Sequence, residues 1–381
     1  MADDYGDEQE QQKLPDPEPP GKRIFLSHCN SYEGQALFKE LWNLERCREP
    51  EVAAHSFIGT VKKDQKTARG AFQEPDKRIE QLVEFERSKA FRDTLLSCNV
   101  IIYDLMSNDF EEVDYVIKTL KTSDLQEEKT LVLLSSVMTW VNTPPKFKEE
   151  KVEGEDGEAA AEEEEEPEEE EEKDEEEEEK ADEEAETGSQ EEVVIQKPIF
   201  FKENDYHLRV PHAKFQHLKT LETVAMSSVK TQPKLRVHVL CSGIRYGNGE
   251  RIFYEHFQKA WIQHPMALPY IGEGKNLVPT IHVIDLARLV RRVVIENPKE
   301  HPYIFAIDKS PNPTQKRLIQ SISKGIGTGL IQSVSHDSIS EDWIDFLTIN
   351  LKMKASDAFR PIPLKPEQEE LEEAEEIRKK N

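Results

Sequence analysis

The sequence predicts an α/β protein with a doubly wound parallel sheet, a smaller C-terminal lobe and a disordered acidic insert. Short apolar runs alternate with amphipathic helical stretches along most of the chain, an order typical of parallel strands joined by crossover helices. One run, residues 130–137, is almost entirely apolar or small, as expected of a strand covered on both faces. A dense run of glutamates begins soon after this strand and predicts the insert.

The chain before the insert supplies the first part of the sheet. An apolar run at residues 23–29 predicts the first strand, and the apolar residues of 33–46 recur at helical spacing. The following patterns predict a strand at 53–61, a helix at 78–97, a strand at 99–105, a helix at 110–122 and the strand at 130–137. We therefore interpret residues 22–144 as the first part of a Rossmann-like domain.

The chain after the insert continues the alternation and then becomes less regular. A helix at 214–230 and a strand at 235–241 predict the second part of the Rossmann-like domain, which we place at residues 197–265. Residues 266–355 are predicted to form the smaller α/β lobe. Its elements are a helix at 251–263 that leads into it, short segments at 267–271 and 278–283, a helix at 285–295, a strand at 303–307, and helices at 314–323 and 338–354.

The acidic charge is concentrated in one segment. Residues 149–192 contain 28 aspartates and glutamates and three lysines, which accounts for almost all of the net charge of −27. Glutamates at this density repel one another and bury no apolar surface, so residues 145–196 are predicted to be a disordered insert. The rest of the chain is close to neutral, which argues against binding to nucleic acid.

Both ends of the chain are polar. Residues 1–21 are rich in proline and acidic residues and predict a disordered leader without a signal peptide. Residues 356–381 form a charged tail, in which 367–379 are good helix formers that could become helical on a partner. No apolar run approaches 18 residues, so no membrane span is expected. Four scattered cysteines without CxxC spacing are typical of reduced thiols in the cytoplasm.

Three strings resemble those of the extended short-chain dehydrogenases and sugar-nucleotide epimerases. Gly243–Gly247 (GIRYG) follows the predicted sixth strand and is similar to the Tyr-Gly string of that superfamily. Pro269–Gly274 and Ile281–Ala287 resemble the segment that begins its substrate lobe. Their order along the chain implies the extended dehydrogenase version of the Rossmann-like fold.

The chain also resembles the amino-terminal region of the ciliary adenylate kinases of type seven, from about residue 23 to 354. The resemblance lies in Val100–Tyr103, Leu133–Trp140, Arg245–Gly247 and Val278–Ala287. In that family a reductase-like module precedes a separate P-loop kinase domain, and the proteins are associated with motile cilia and flagella. We expect no kinase domain in this chain, because Gly272–Asn276 only partly matches GxxxxGK[ST].

The first turn does not match a working dinucleotide site. The superfamily pattern GxxGxxG places His28, Ser31 and Gly34 at the three glycine positions, so only the third glycine remains. The first two glycines normally let the pyrophosphate approach the backbone, whereas the third allows close helix packing. We therefore expect no bound cofactor and a structural role for Gly34.

The acid and base positions have also changed. Reductases of this class use a serine, a tyrosine and a lysine four residues later, whose charge lowers the pKa of the tyrosine. The resemblance implies Ser135, Ser136 or Thr139 as the hydroxyl, and Lys219 as the lysine, but Phe215 stands at the tyrosine position. Phenylalanine has no proton to transfer, so this mechanism is expected to be lost.

Other candidate sites are weaker. His207, His212 and His217 recur at five-residue spacing, which does not align metal ligands on a helix, so no metal is expected. Glycines at 325, 327 and 329 are better explained by a turn than by a phosphate loop.

Two functions follow from these expectations. The first is a non-catalytic structural or adaptor protein of the ciliary or flagellar axoneme, with axonemal proteins of a radial spoke or the central apparatus as partners. The alternative is a nucleotide-binding sensor, or an accessory module for adenine-nucleotide metabolism that acts with adenylate kinase domains on other chains. The first turn discriminates between them and favours the adaptor.

Overall fold

The computed structural model describes residues 21–46, 55–61, 76–151, 194–249, 251–336 and 343–357. Most of the predicted leader, most of the predicted insert and nearly all of the charged tail lie outside these ranges. The chain divides into two compact units, residues 1–144 with 200–381, and residues 145–199.

Helices and strands alternate along the larger unit, and the smaller unit contributes β6 and β7. In chain order the elements are β1 (Arg23–Leu26), α1 (Tyr32–Arg46), β2 (Ser56–Thr60), β3 (Gln81–Val83), α2 (Lys89–Leu96), β4 (Val100–Asp104), α3 (Phe110–Thr122), β5 (Lys129–Ser136), β6 (Lys146–Lys151), β7 (Val194–Ile199), α4 (Gln216–Ser228), β8 (Leu235–Ser242), β9 (Ile244–Tyr246), α5 (Tyr254–Ile262), β10 (Leu268–Ile271), β11 (Thr280–His282), α6 (Val283–Glu296), β12 (Tyr303–Ala306), α7 (Gln315–Ile326), β13 (Ile331–Val334) and α8 (Ile344–Leu347).

The central sheet has seven parallel strands in the order β3-β2-β1-β4-β5-β8-β12. From β1 the chain first builds outward to β2 and β3, and then returns to add β4, β5, β8 and β12 on the other side. The predicted doubly wound sheet is therefore confirmed. The order reverses between β1 and β4, and open α/β sheets bind ligands in the crevice beyond the strand ends at this point.

Helices cover both faces of the sheet. Along β1 and β4, successive side chains enter opposite core clusters, as the two-residue period of a strand requires. Apolar residues of α2, α3 and α4 fill one cluster, and those of α1 and α6 fill the other. The central strands β4 and β5 are buried along their whole length.

Residues 266–355 contribute to two parts of the larger unit. They supply β12 and α6, which belong to the central sheet and its layers. They also supply β10 and β13, which pair in parallel, and β11, which pairs with β9. Helices α5 and α7 pack together next to β10.

The helix predicted at residues 78–97 is wrong in its first half. Residues 81–83 instead form edge strand β3, with Ile58 of β2 opposite Gln81. The helix begins only after Ser88, whose hydroxyl accepts a hydrogen bond from the Phe91 amide at 3.2 Å and so caps α2. The apolar residues before Ser88 are too few to separate strand from helix by periodicity.

The long helix predicted at residues 338–354 is also wrong, because α8 covers only Ile344–Leu347. Beyond it Ile349, Leu351 and Met353 are buried at alternate positions, the two-residue period of an extended chain. Residues 337–342 lie outside the described residues.

The ends of the predicted insert form a hairpin. Strands β6 and β7 pair in antiparallel register from Lys146 opposite Ile199 to Lys151 opposite Val194. The disordered segment predicted for 145–196 is therefore too long at both ends. The β-branched Val194, Ile195 and Ile199 of β7 favour a strand, whereas β6 has no such residue and is paired to β7. The residues between these strands lie outside the described part of the chain.

Candidate functional site

Polar side chains meet in the crevice at the carboxyl edge of the central sheet. Asp104 is the last residue of β4, Ser135 lies at the end of β5, and Ser242 ends β8. Glu33 lies in the first turn of α1, which starts above the end of β1. Because parallel strands all end at this edge, these groups are close in space although they are far apart in sequence.

The turn after β1 is held by two of its backbone amides, which donate hydrogen bonds to Thr60 at the end of β2. His28 has a φ of 43°, in the left-handed region that glycine adopts at no steric cost and other residues rarely adopt. Its amide donates to Thr60 Oγ1 at 2.8 Å, and the Cys29 amide donates to the Thr60 carbonyl at 2.9 Å. The backbone thus keeps a glycine-like conformation at the first predicted position, while an imidazole replaces the hydrogen of glycine.

Ser31 caps helix α1 from the second predicted position. Its hydroxyl accepts a hydrogen bond from the Gly34 amide at 3.0 Å, and its own amide donates to the His28 carbonyl at 2.8 Å. Free amides in the first turn of a helix are the groups that bind a phosphate in dinucleotide sites. Ser31 therefore satisfies one of these amides from within the chain.

Gly34 packs against the turn after β1. A Cβ atom at this position would lie 2.3 Å from the His28 carbonyl oxygen and 2.9 Å from Cys29 Cα. Real Cβ atoms do not approach backbone atoms so closely, so the position admits only glycine without a shift of the backbone. The contact is between helix and turn, which matches the packing role expected from the sequence.

An ion-pair cluster lies across the crevice. Arg245 of β9 binds Glu33 through Nη1 and Oε1 at 2.9 Å, and Asp104 through Nη2 and Oδ1 at 2.9 Å. Its Nε donates to Ser242 Oγ at 3.1 Å, and Nη2 also lies 3.4 Å from the Ser135 carbonyl oxygen. Arg245 and Asp104 are buried, and Glu33 is 18% exposed. One guanidinium thus joins α1 to the ends of β4, β5 and β8.

The charges in this cluster shift the pKa values of Glu33 and Arg245. Burial raises the pKa of the Glu33 carboxyl, and the charge of Asp104 raises it further, against the opposing effect of Arg245. Burial alone would lower the pKa of Arg245, but the two carboxylates raise it by more. A carboxylate in the first turn of α1 also interacts favourably with the helix dipole, where a phosphate would otherwise bind.

A second buried network surrounds Ser135. Its hydroxyl donates to Glu222 of α4, and the other oxygen of Glu222 accepts from Arg209 Nε at 2.8 Å. Burial raises the pKa of the Glu222 carboxyl, and the charge of Arg209 opposes this shift. The Arg209 guanidinium also lies over the rings of Tyr206 and Tyr303, at 5.7 and 5.5 Å. Ser135 thus anchors α4 to the sheet.

Phe215 and Lys219 have separate structural contacts. The Phe215 ring packs against His212 and Phe346, with centroids at 5.8 and 5.7 Å. Lys219 Nζ donates to the Arg209 carbonyl at 2.7 Å. The lysine therefore helps to hold the segment before α4. The position that matches the superfamily's tyrosine carries Phe215, so it offers no phenol hydroxyl beside Lys219.

The other candidates from the sequence form no evident site within the described residues. No group of three or more metal-ligating side chains that could hold a metal ion is found in this part of the chain. Lys275, in the string that partly matches a P-loop, pairs with Glu273 at 3.1 Å. Across the same residues, every helix is too short or too polar to cross a bilayer.

Solved structures with the same architecture include sugar-nucleotide enzymes. A dTDP-glucose 4,6-dehydratase from Bacillus anthracis, solved with NAD, superposes with a TM-score of 0.56 at 11% identity and covers 89% of both chains. A UDP-glucose 4-epimerase from Thermotoga maritima gives 0.54 at 8% identity, covering 88% of this chain and 91% of its own. This chain has the extended reductase and epimerase fold. Identities this low show the fold alone.

Curated relatives agree with the second resemblance. Adenylate kinase 7 of Mus musculus is 27% identical over 270 residues, which cover 68% of this chain and 36% of that protein. Adenylate kinase 7 of Macaca fascicularis is 35% identical over 128 residues, which cover 32% of this chain and 24% of that protein. The resemblance predicted from the sequence is confirmed. The matched segment spans about a third or less of these relatives, and no family model matches the chain.

The sequence indicated only one member of the ion-pair cluster in the crevice. Arg245 was identified as part of a family string, but its partners Glu33 and Asp104 were missed. Glu33 looks like an ordinary acidic residue at a helix start, and Asp104 like the polar end of a strand. Their position beside the reversal of strand order was the available signal, since the first turn and the end of β4 meet there in a sheet with this strand order.

Proposed function

We propose that this protein is a non-catalytic structural or adaptor protein of the ciliary or flagellar axoneme, built on a degenerate reductase fold. The observation that carries the proposal is the cluster of Glu33, Arg245 and Asp104 in the crevice. Two carboxylates flank the one guanidinium, so the cluster disfavours an incoming pyrophosphate. The Ser31 hydroxyl accepts a hydrogen bond from the Gly34 amide, which would otherwise be available to the pyrophosphate.

The acid and base positions support the same proposal. Phe215 cannot give or take a proton, and Lys219 donates to a backbone carbonyl. Ser135 donates to Glu222, so its hydroxyl proton is committed to a buried carboxylate. General acid–base catalysis needs a titratable group within reach of the reacting proton, and the superfamily's own group is replaced here.

The axonemal assignment rests on the similarity to adenylate kinase 7. That resemblance implies an association with motile cilia, and we place the protein in the cytoplasm and axoneme, with partners in a radial spoke or the central apparatus. Because the matched segment covers little of those relatives, their kinase activity does not carry over to this chain. Adenylate kinase domains on other chains remain candidate neighbours.

Thermal shift tests the non-catalytic part. Purified protein is heated with NAD, NADH, NADP, NADPH, ATP, ADP or AMP, each at millimolar concentration, with the dTDP-glucose 4,6-dehydratase and NAD as a positive control for the assay. A ligand at one hundred times its Kd stabilises by about 2.7 kcal/mol, enough to raise the Tm by several degrees. We expect no shift. A shift with one nucleotide would instead favour the sensor.

Cosedimentation tests the axonemal part. Purified protein is mixed with axonemes washed in high salt and pelleted, and the Kd is taken from the bound fraction. We expect saturable binding that is not seen with purified microtubules alone. Protein that stays in the supernatant at all axoneme concentrations would overturn the axonemal assignment.

A further inference from the structure

The apolar arc of helix α5 extends beyond its buried face. Its inner face, with Phe253 just before the helix, His256 and Ala260, is buried in the core of the larger unit. A helix that packs on one side only is expected to be polar on the other. Beside its buried face, α5 instead carries large exposed apolar side chains at positions i, i+3, i+7 and i+8, namely Tyr254, Phe257, Trp261 and Ile262.

The turn between α7 and β13 extends this apolar face. A Cβ atom on Gly327 would lie 3.2 Å from Ala260 Cβ, so the end of α7 touches α5. The Thr328 hydroxyl donates to the Met266 carbonyl, and the Leu268 amide donates to the Leu330 carbonyl at 3.0 Å. We define the α5 surface as the exposed residues gathered by these contacts: Phe257, Trp261, Ile262, Met266, Ile326 and Leu330.

The side chains of the α5 surface are unusually accessible for their size. Trp261 is 76% exposed, Met266 66%, Ile262 60% and Leu330 53%. Single exposed apolar residues are common, but a group of them on adjacent elements marks an interaction site. Tryptophan in particular is enriched among the residues that dominate binding.

The charge beside the α5 surface is positive. Helix α7 contains Lys316, Arg317 and Lys324 and no aspartate or glutamate. Lys324 is exposed, and its Cγ would lie 4.0 Å from a Cβ atom on Gly329, so its side chain runs beside the turn that carries Leu330. Lys316 lies at the other end of α7, over the Tyr270 ring at 5.9 Å. A partner that covers the α5 surface therefore meets cations on the α7 side, and carboxylates on that partner would be favourable there.

We propose that the α5 surface binds an acidic amphipathic helix of an axonemal partner protein. The proposal rests on the adaptor role proposed above and names the chemistry of its partner. The spacing of the α5 residues matches the one-turn repeat of a helix, so a partner helix can pack its apolar side along α5. Glutamates on the flank of the partner helix pair with Lys324, the α7 cation beside this surface.

Two other occupants fit the charge less well. In a two-fold pairing of two copies, the α7 cations of both copies would lie at one interface without a matching acidic group on α7. An anionic bilayer would need cations around the whole apolar surface, whereas Lys324 flanks one side of it and the ionised residues of α5, Glu255 and Lys259, offset each other.

Peptide binding tests the chemistry of the α5 surface. The probe is a fluorescent synthetic helix with leucines at i, i+3, i+4 and i+7 and glutamates elsewhere, and its control has lysines in place of the glutamates. We expect the acidic peptide to bind at least ~10-fold more tightly than the basic one by anisotropy, a ratio set by complementary charge. Equal binding, or tighter binding of the basic peptide, would overturn the proposal.

Variants place the binding on this surface. The double change W261S/I262S is expected to weaken the acidic peptide ~10-fold or more, and K324E to reduce its preference over the basic peptide. The matched controls are F110S, at an exposed phenylalanine of α3, and K230E, at an exposed lysine after α4, neither of which should alter binding. Unchanged binding by W261S/I262S, with a normal Tm, would overturn the proposal.

Axonemes and vesicles separate the remaining outcomes. If wild-type protein binds axonemes and W261S/I262S binds equally well, the α5 surface is not the docking site but the adaptor role stands. If wild-type protein does not bind axonemes, the adaptor role fails whatever the peptide shows. If the wild-type protein pellets with phosphatidylserine vesicles and W261S/I262S does not, the occupant of the α5 surface is a membrane and the proposal fails. If the wild-type protein dimerises with rising concentration and W261S/I262S does not, the occupant is a second copy of the chain and the proposal fails.

Discussion

Arg245 is the residue on which the crevice depends most. Replacing it with methionine (R245M) would keep most of the side-chain volume but leave Glu33 and Asp104 without their cation. Removing one partner of a buried ion pair typically costs about 3–5 kcal/mol, because the other charge stays buried and unpaired. We expect a loss of this size in the free energy of unfolding, measured by urea denaturation.

The control for R245M is R288M, because Arg288 pairs with Asp285 on the exposed side of α6 at 2.8 Å. Exposed pairs contribute less than about 1 kcal/mol, so R288M should barely change stability. A similarly small effect of R245M would show that the crevice cluster is hydrated and does not hold the strand ends together.

Two glycines should respond in opposite ways to alanine. In G34A the new Cβ would lie 2.3 Å from a backbone oxygen, so we expect a loss of about 1–3 kcal/mol from overpacking. In G325A nothing lies within 4 Å and the residue is helical, so we expect a gain of about 0.4–1 kcal/mol. Equal effects in urea denaturation would contradict the packing role of Gly34.

His256 makes stability sensitive to acid. Burial, together with the charge of Lys259, lowers the pKa of His256 from 6.5 to about 3. Below pH 6.5 the unfolded chain therefore binds a proton that the folded chain does not. The free energy of unfolding should fall by about 1.4 kcal/mol per pH unit from this group between pH 6 and 4.

The variant H256L removes this proton linkage, and the exposed His264 provides the control H264L. Urea denaturation from pH 7 to pH 4.5 should give a shallower loss of stability in H256L than in the wild type and H264L. His238, whose pKa burial also lowers, contributes equally to all three proteins and cancels in the comparison. Parallel pH profiles would contradict a neutral, buried His256.

At the scale of elements, sequence periodicity predicted the central strands and missed the marginal ones. The strand at 130–137 was predictable because a short apolar run covered on both faces has few alternatives. Strand β3 was missed because only three residues pair with β2, at an exposed edge where neither burial nor alternation gives a signal. In residues 349–353 the two-residue period was present, but it was read as the end of a helix.

Central and edge strands should differ in their tolerance of truncation. Leu133 of β5 is fully buried and lies between Tyr103 and Val239 in register, so L133A should cost about 2–5 kcal/mol. Leu82 of β3 is half exposed, so L82A should cost less than about 1 kcal/mol. Urea denaturation of the two variants would test the assignment, and a negligible effect of L133A would refute the buried position of β5.

At the scale of the whole molecule, one core cluster joins the central sheet to residues 266–355. It contains Phe25 and Leu133 of the sheet together with Leu268, Ile319 and Leu351. The truncated chain 22–265 would also lack β12, which pairs with β8 along four residues. We expect this truncation to lose cooperative unfolding, and the full chain to show one calorimetric transition for the larger unit. Two separate transitions would contradict a shared core.

The self-filled crevice also bears on the abundance of the protein. A dinucleotide enzyme gains stability from its cofactor by mass action, so its folded fraction follows the cellular supply of that small molecule. Here Glu33 lies in the first turn of α1, where a cofactor phosphate would bind, and its counter-charge Arg245 comes from the same chain. We expect the lifetime of the folded protein to be independent of the cellular supply of dinucleotide.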